Sequence, residues 1–153
     1  SAANCLPPAA LLKMKKFPAI FALANPDPEI APNLVKKVMR NKPHIFATGR
    51  SDLCNQINNV LAFPYIFRGA LMARATQITL NMKIAAAMAI AQLAQEKSPK
   101  TVQQLYTHKL NFGIDYLLPT PFDPRLKKAV SYAVAMAAVA DGVAKKPLFS
   151  ENL

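Results

Sequence analysis

Glycine is scarce in this chain of 153 residues. The four present, Gly49, Gly69, Gly113 and Gly142, are too dispersed to form a G-x-G-x-x-G loop. Such a loop lets bare backbone and a helix N-terminus approach a dinucleotide pyrophosphate, so the chain alone carries no phosphate cradle of that kind. Acids are also few, eight against 19 basic residues. Asp27, Glu29, Asp52, Glu96, Asp115, Asp123, Asp141 and Glu151 form no cluster of the sort that magnesium or manganese requires, and no metal ligand is assigned. His44 and His108 lack a second His or Cys at ligand spacing, which gives zinc little support. Cys5 and Cys54 are too few for a disulfide framework and form no C-x-x-C pair. As free thiols they point to a reducing, intracellular compartment, with the cytoplasm and the mitochondrial matrix equally allowed. Long apolar runs are missing as well. The longest, residues 84–94 and 129–140, fall short of the roughly 20 residues that cross a bilayer, and no basic cluster precedes the apolar start in the manner of a signal peptide.

What is present is a chain 52% hydrophobic and 18% charged, enough to bury a core within one domain's usual size. The net charge of +11 favours polyanions, anionic substrates or an acidic partner without choosing among them. Its lysines fall in scattered pairs (Lys15 with Lys16, Lys36 with Lys37, Lys127 with Lys128, Lys145 with Lys146). That pattern fits a solvated surface better than a nucleic-acid footprint.

The pattern along the chain predicts α/β structure. AALLKMKK (9–16) is helical and stops before Pro18. AIFALA (19–24) reads as a buried parallel strand bounded by Asn25-Pro26. Ile30, Leu34, Val35 and Val38 recur at helical spacing, and HIFATG (44–49) is a second strand. Strand, helix and strand in about thirty residues make a β-α-β unit, whose ligands lie beyond the carboxyl ends of the strands. Those ends carry Asn25 and Thr48-Gly49-Arg50-Ser51. Everything later reads as helix or loop, with helices expected at 58–61, 67–74, 80–95, 101–105 and 124–141, the last capped by Asp123 with Pro124 at its first position. The long helices are Ala-rich nearly all round and are expected between layers. Two short parallel strands need neighbours to make a stable sheet, and the chain opens in small apolar residues with no entry strand. The sheet is therefore expected to be incomplete within this chain, to be finished by a preceding segment or by another chain.

FALANPDPEI (21–30), ATGRSDLCNQINNVLAFPYIFRGAL (47–71) and LLPTPFDPRL (117–126) resemble the cofactor domain of bacterial-type malic enzymes. They stand in that family's order, with MKIAAAMAIAQLA between the second and third and SAANCL at the start also fitting. The resemblance implies that residues 1–153 are the C-terminal portion of an NAD(P)-binding domain, a partial doubly wound, Rossmann-like parallel sheet with Ala-rich helices. It implies oxidative decarboxylation of malate to pyruvate and carbon dioxide with NAD or NADP as hydride acceptor. It also implies roles near malate and nicotinamide for Asn25 and Asn58 and near malate for Asn59, while Ser51, by its own place after the second strand, is a cofactor-binding candidate. An amide that donates and accepts suits a carboxylate or a carboxamide, while Asn25 before Pro26 also suits a turn and Asn58 and Asn59 a helix cap. Arg50 and Ser51 fit either phosphate binding or local pairing, and Asp52 fits a turn.

The family's catalytic tyrosine and lysine and its metal-binding carboxylates, for magnesium or manganese, belong to an upstream region. No catalytic residue is assigned here, and the chain alone is expected to be inactive. It also departs from the family within the matched motifs. Leu53 and Cys54 replace an aromatic and a proline, Met72 stands where an acid is usual, Leu80 and Asn81 replace an acidic pair, and Thr120 replaces a lysine. The lost acids account for much of the basicity. This leaves a second expectation, a non-catalytic structural subunit of a larger assembly that binds nucleic acid or an acidic protein through its basic surface.

Overall fold

The computed structural model describes residues 2–146, which divide into two compact units. The first holds the described residues up to Asn58 with Gly113–Leu117, the second Asn59–Phe112 with the described residues from Leu118 onward. Glu151 lies outside the described residues.

In the first unit, helix α1 (Pro8–Leu12) opens with proline near its first position, where a missing N–H costs nothing. It ends four residues earlier than the sequence pattern predicts. The N–H groups of Lys13 and Met14 reach back only three residues, to Ala10 and Leu11, tightening the end into a 3-10 turn. Strand β1 (Ala19–Ala22) pairs in parallel with β2 (Ile45–Thr48), with Ala19 opposite Ile45 and Ala22 opposite Thr48. Helix α2 (Pro32–Val38) lies between them in sequence. Ile20 and Ala22 of β1 join Leu11, Ile30, Val35 and Met39 in one apolar cluster.

Three expectations need correction here. Both strands are shorter than predicted, β1 because after Ala22 the chain leaves the ladder and the N–H of Ala24 turns to the Glu29 carboxylate at 3.0 Å. Strand β1 is not buried on both faces: α1 and α2 cover Ile20 and Ala22, while Phe21 is 52% exposed. Ile30 is buried but precedes α2, and Leu34 faces outward.

The second unit is helical. A 3-10 turn (Asn59–Leu61) leads into α3 (Phe63–Met72), α4 (Leu80–Gln95), α5 (Lys100–Gln103) and α6 (Arg125–Ala140). Helix α3 starts earlier than predicted because Pro64 falls in its first turn, where proline is tolerated. Small residues set the packing of α3, α4 and α6. Ala73, Ala86, Ala89, Ala135 and Ala138 are buried at their contact. At Gly69 a Cβ would meet the Ser131 carbonyl oxygen at 2.5 Å, so only glycine allows α3 to approach α6 this closely. The Ala-rich α4 is not enclosed on all sides as expected, since Leu80, Ile84 and Met88 form an exposed stripe one turn apart. Its start is fixed by Thr79, whose hydroxyl accepts the Met82 N–H at 3.1 Å. Pro124, not Asp123 as expected, takes the N-cap position of α6, and Asp123 acts from one residue before it. Its carboxylate accepts the Arg125 N–H at 3.0 Å and pairs with the Arg125 guanidinium, with Pro124 already in helical conformation.

The architecture is therefore α/β, with a two-stranded parallel sheet that is incomplete within this chain and a set of Ala-rich helices.

Candidate functional site

The carboxyl ends of β1 and β2 are adjacent because the strands run in register, Ala22 beside Thr48. Just beyond this pair, three residues after Ala22 and one after Thr48, the first unit brings together two groups singled out from sequence. The Asn25 side chain lies across Gly49, so close that a Cβ on Gly49 would stand 2.6 Å from Asn25 Oδ1 and 3.1 Å from Nδ2. The glycine thus makes room for the amide, and Asn25 itself is exposed to solvent beyond the strand end.

Thr48 is fully buried and holds the following turn through its Oγ1, which accepts the Arg50 N–H at 3.2 Å. Arg50 is engaged locally: its Nε and Nη2 donate to the two Asp52 oxygens at 2.8 and 2.7 Å. This charge-assisted fork raises the guanidinium pKa and draws the Asp52 carboxyl below its ordinary value, the hydrogen bond being the main cause in each case. Of the two readings for Arg50, the geometry supports local pairing. Ser51 is exposed in the same turn. Asn58, also exposed, ends the first unit just before the 3-10 turn that Asn59 begins in the second.

Asn55 is a structural residue that the sequence reading missed. It is 7% exposed and adopts a left-handed backbone with φ of 55°. Its Nδ2 donates to the carbonyls of Phe46 (3.1 Å) and Ile114 (2.6 Å), and its Oδ1 accepts the Leu117 N–H at 2.8 Å. One amide thereby ties residues 113–117 to β2 and fixes the loop that leads away from the candidate site. The local signal was asparagine's tolerance of positive φ.

Among the described residues no group of three His, Cys, Asp or Glu could hold a metal ion, and Cys5 and Cys54 are both free. Burial, then the nearby Asp115 charge, pushes the Cys54 thiol upward, which disfavours its thiolate at neutral pH. No helix among the described residues is long and apolar enough to cross a membrane.

Comparison with known proteins adds the family context. The family model described as malic enzyme, NAD binding domain, matches residues 9–109. A probable NADP-dependent malic enzyme of Rickettsia prowazekii is 55% identical over 139 residues, covering 90% of this chain and 18% of the relative. An NADP-dependent malic enzyme of Halomonas elongata is 52% identical over 136 residues, covering 88% of this chain and 32% of the relative. The crystal structure of malic enzyme from Pyrococcus horikoshii superposes with a TM-score of 0.80 at 39% identity, over 98% of this chain and 30% of that one. The chain thus spans about a fifth to a third of the length of these relatives.

Proposed function

Since the chain belongs to the malic enzyme NAD-binding domain family, we propose that residues 1–153 form the C-terminal portion of such a domain and supply part of the nicotinamide and malate pocket. The reaction in question is the oxidative decarboxylation of malate to pyruvate and carbon dioxide with reduction of NAD or NADP. The observation that carries this reading is the Asn25 amide laid across Gly49 at the paired strand ends, where open α/β sheets bind ligands.

The residues fit one end of the cofactor and not the other. An exposed neutral amide at a strand end donates through Nδ2 to a malate carboxylate and accepts through Oδ1 from a nicotinamide carboxamide, so Asn25 orients hydride donor and acceptor together. Asn58 is assigned the same pair of ligands, Asn59 the malate side and Ser51 the cofactor side. The pyrophosphate does not fit this chain, because the space over Gly49 is filled by Asn25 and the other glycines are remote in sequence. A divalent metal does not fit either, for want of a ligand cluster among the described residues. Both functions, and the acid–base residues, are assigned to polypeptide outside residues 1–153, on the same or another chain.

The test is reconstitution. The chain is joined to, or mixed with, the preceding segment of an NADP-dependent relative, and malate-dependent nucleotide reduction is followed with magnesium or manganese present. Activity is expected only with both parts, and Asn25→Ala and Asn58→Ala are each expected to lower kcat/KM about tenfold or more. Normal turnover by both variants would remove these assignments.

One observation favours a second reading. The three ion pairs among the described residues all use Arg50 or Arg125, so no lysine there is neutralised by an acid. A non-catalytic subunit that binds nucleic acid through this surface would lose RNA affinity steeply between 50 and 200 mM salt, as phosphate contacts release counterions (typically about 10³-fold or more for several contacts). An affinity indifferent to salt excludes it.

A further inference from the structure

A small cavity of about 170 Å³ lies in the second unit between α3 and α6, away in sequence from the residues assigned to malate and nicotinamide. Arg68 of α3 and Lys127 and Lys128 of α6 line it, and none of the three has an ion-pair partner among the described residues. Ser131, one turn further along α6, also lines it. Ser131 is 1% exposed, and its hydroxyl is one of two buried side-chain polar atoms among the described residues with no hydrogen-bond partner. A buried hydroxyl left unpaired costs about 1–3 kcal/mol, so a ligand oxygen that accepts from it would recover that loss. Met72 and the Tyr132 ring supply apolar wall. The cavity is open to solvent on one side, and its volume is below the roughly 300–1,000 Å³ of drug-sized ligand sites.

We propose that this cavity is a binding site for a small phosphomonoester with an apolar body. The phosphoryl oxygens face Arg68, Lys127, Lys128 and the Ser131 hydroxyl, and the body covers Met72 and Tyr132. Three cations and a hydroxyl donor match a dianion with three terminal oxygens, which a monoanionic carboxylate satisfies less well. Gly69 is the device that builds the site, since it brings α3 against the Ser131 backbone and so sets Arg68 beside the start of α6.

The experiment is isothermal titration of the full chain in low salt, with phenyl phosphate as probe and inorganic phosphate and benzoate as comparisons. Saturable one-to-one binding of phenyl phosphate is expected, at least threefold tighter than inorganic phosphate and tenfold tighter than benzoate. Arg68→Gln is expected to weaken it about tenfold, and Ser131→Ala about threefold. Lys36→Gln removes the same charge from the first unit and should leave binding within twofold. Met72→Asp places a carboxylate in the wall and should abolish binding. As a check on folding, each variant's circular dichroism is compared with that of the parent chain. If Lys36→Gln weakens binding as much as Arg68→Gln, or titration fails to saturate, the net charge of the chain is responsible and the site does not exist. Benzoate binding as tightly as phenyl phosphate would overturn the phosphomonoester assignment.

Discussion

Replacing Gly49 by alanine separates the function of the Asn25 amide from the stability of the fold. The new methyl would stand 2.6 Å from Asn25 Oδ1, 3.1 Å from Nδ2 and 3.2 Å from Cγ. All three atoms belong to the far end of one exposed side chain, so the amide swings away and the backbone stays. Displacing an exposed rotamer costs about 0.5–1.5 kcal/mol at most, and the urea midpoint should hardly move. The position of the amide changes by an ångström or more, and misplacement on that scale costs about 100-fold in rate where a group orients reactants. In the reconstituted enzyme, Gly49→Ala should therefore lower kcat/KM nearly as much as Asn25→Ala. The decisive assay is the double-mutant cycle. Once Asn25 is already alanine there is no amide to displace, so Gly49→Ala should have little further effect, a strongly non-additive result. If Gly49→Ala costs the same factor in both backgrounds, the glycine acts on something other than Asn25 and the reasoning fails.

Both partners of that contact were legible as separate residues, because a strand's end is marked locally by Asn25-Pro26 and by Thr48-Gly49. Their contact was not, since it depends on the parallel register of Ala22 with Thr48, which no local pattern carries. Strand identity followed from the apolar runs, but strand length was lost to a side chain: the Glu29 carboxylate takes the Ala24 N–H five residues before it. The starts of α4 and α6 differ in the same way. Asp123 takes the Arg125 N–H two residues on, a local pairing whose residues are legible from sequence even though Pro124 stands at the N-cap. Thr79 is held by Asp141, 62 residues on, and that pairing was invisible. Asn55 is the extreme case, with partners at 46, 114 and 117. Sequence proximity, more than residue type, decided which polar residues could be understood in advance. The Ala-rich helices show the complementary limit: composition announced close packing but could not say that Leu80, Ile84 and Met88 would be left outside.

Three further outcomes rest on single geometries. Gly69→Ala drives a Cβ to 2.5 Å from the Ser131 carbonyl and 2.7 Å from Val134; neither helix backbone can yield locally, and a loss of about 1–3 kcal/mol by urea unfolding is expected, whereas wild-type stability would show that α3 and α6 do not meet there. The Asp141 carboxyl is lowered from its ordinary 3.8, first by the hydrogen bond from Asn81 and then by that from Thr79. A lowered folded-state value means that its contribution is fully present above pH about 3.8 and is lost as pH falls through the folded value. The stability gap between wild type and Asp141→Asn should accordingly be widest near neutrality and close in acid, and a gap constant with pH would contradict this. Asn55 allows the sharpest test of a buried amide. Alanine removes both donors and the acceptor, stranding the Phe46 and Ile114 carbonyls and the Leu117 N–H, and also strains the left-handed backbone. Unsatisfied groups of this kind cost about 1–3 kcal/mol each, discounted for the water that reaches a loop, and the φ of 55° adds about 1 kcal/mol for alanine. Glycine at the same position keeps the backbone and loses only the hydrogen bonds. Asn55→Gly should thus be destabilised by about 2–3 kcal/mol and Asn55→Ala by about 1 kcal/mol more. A glycine variant as stable as the parent would mean that the amide does not hold residues 113–117 to β2.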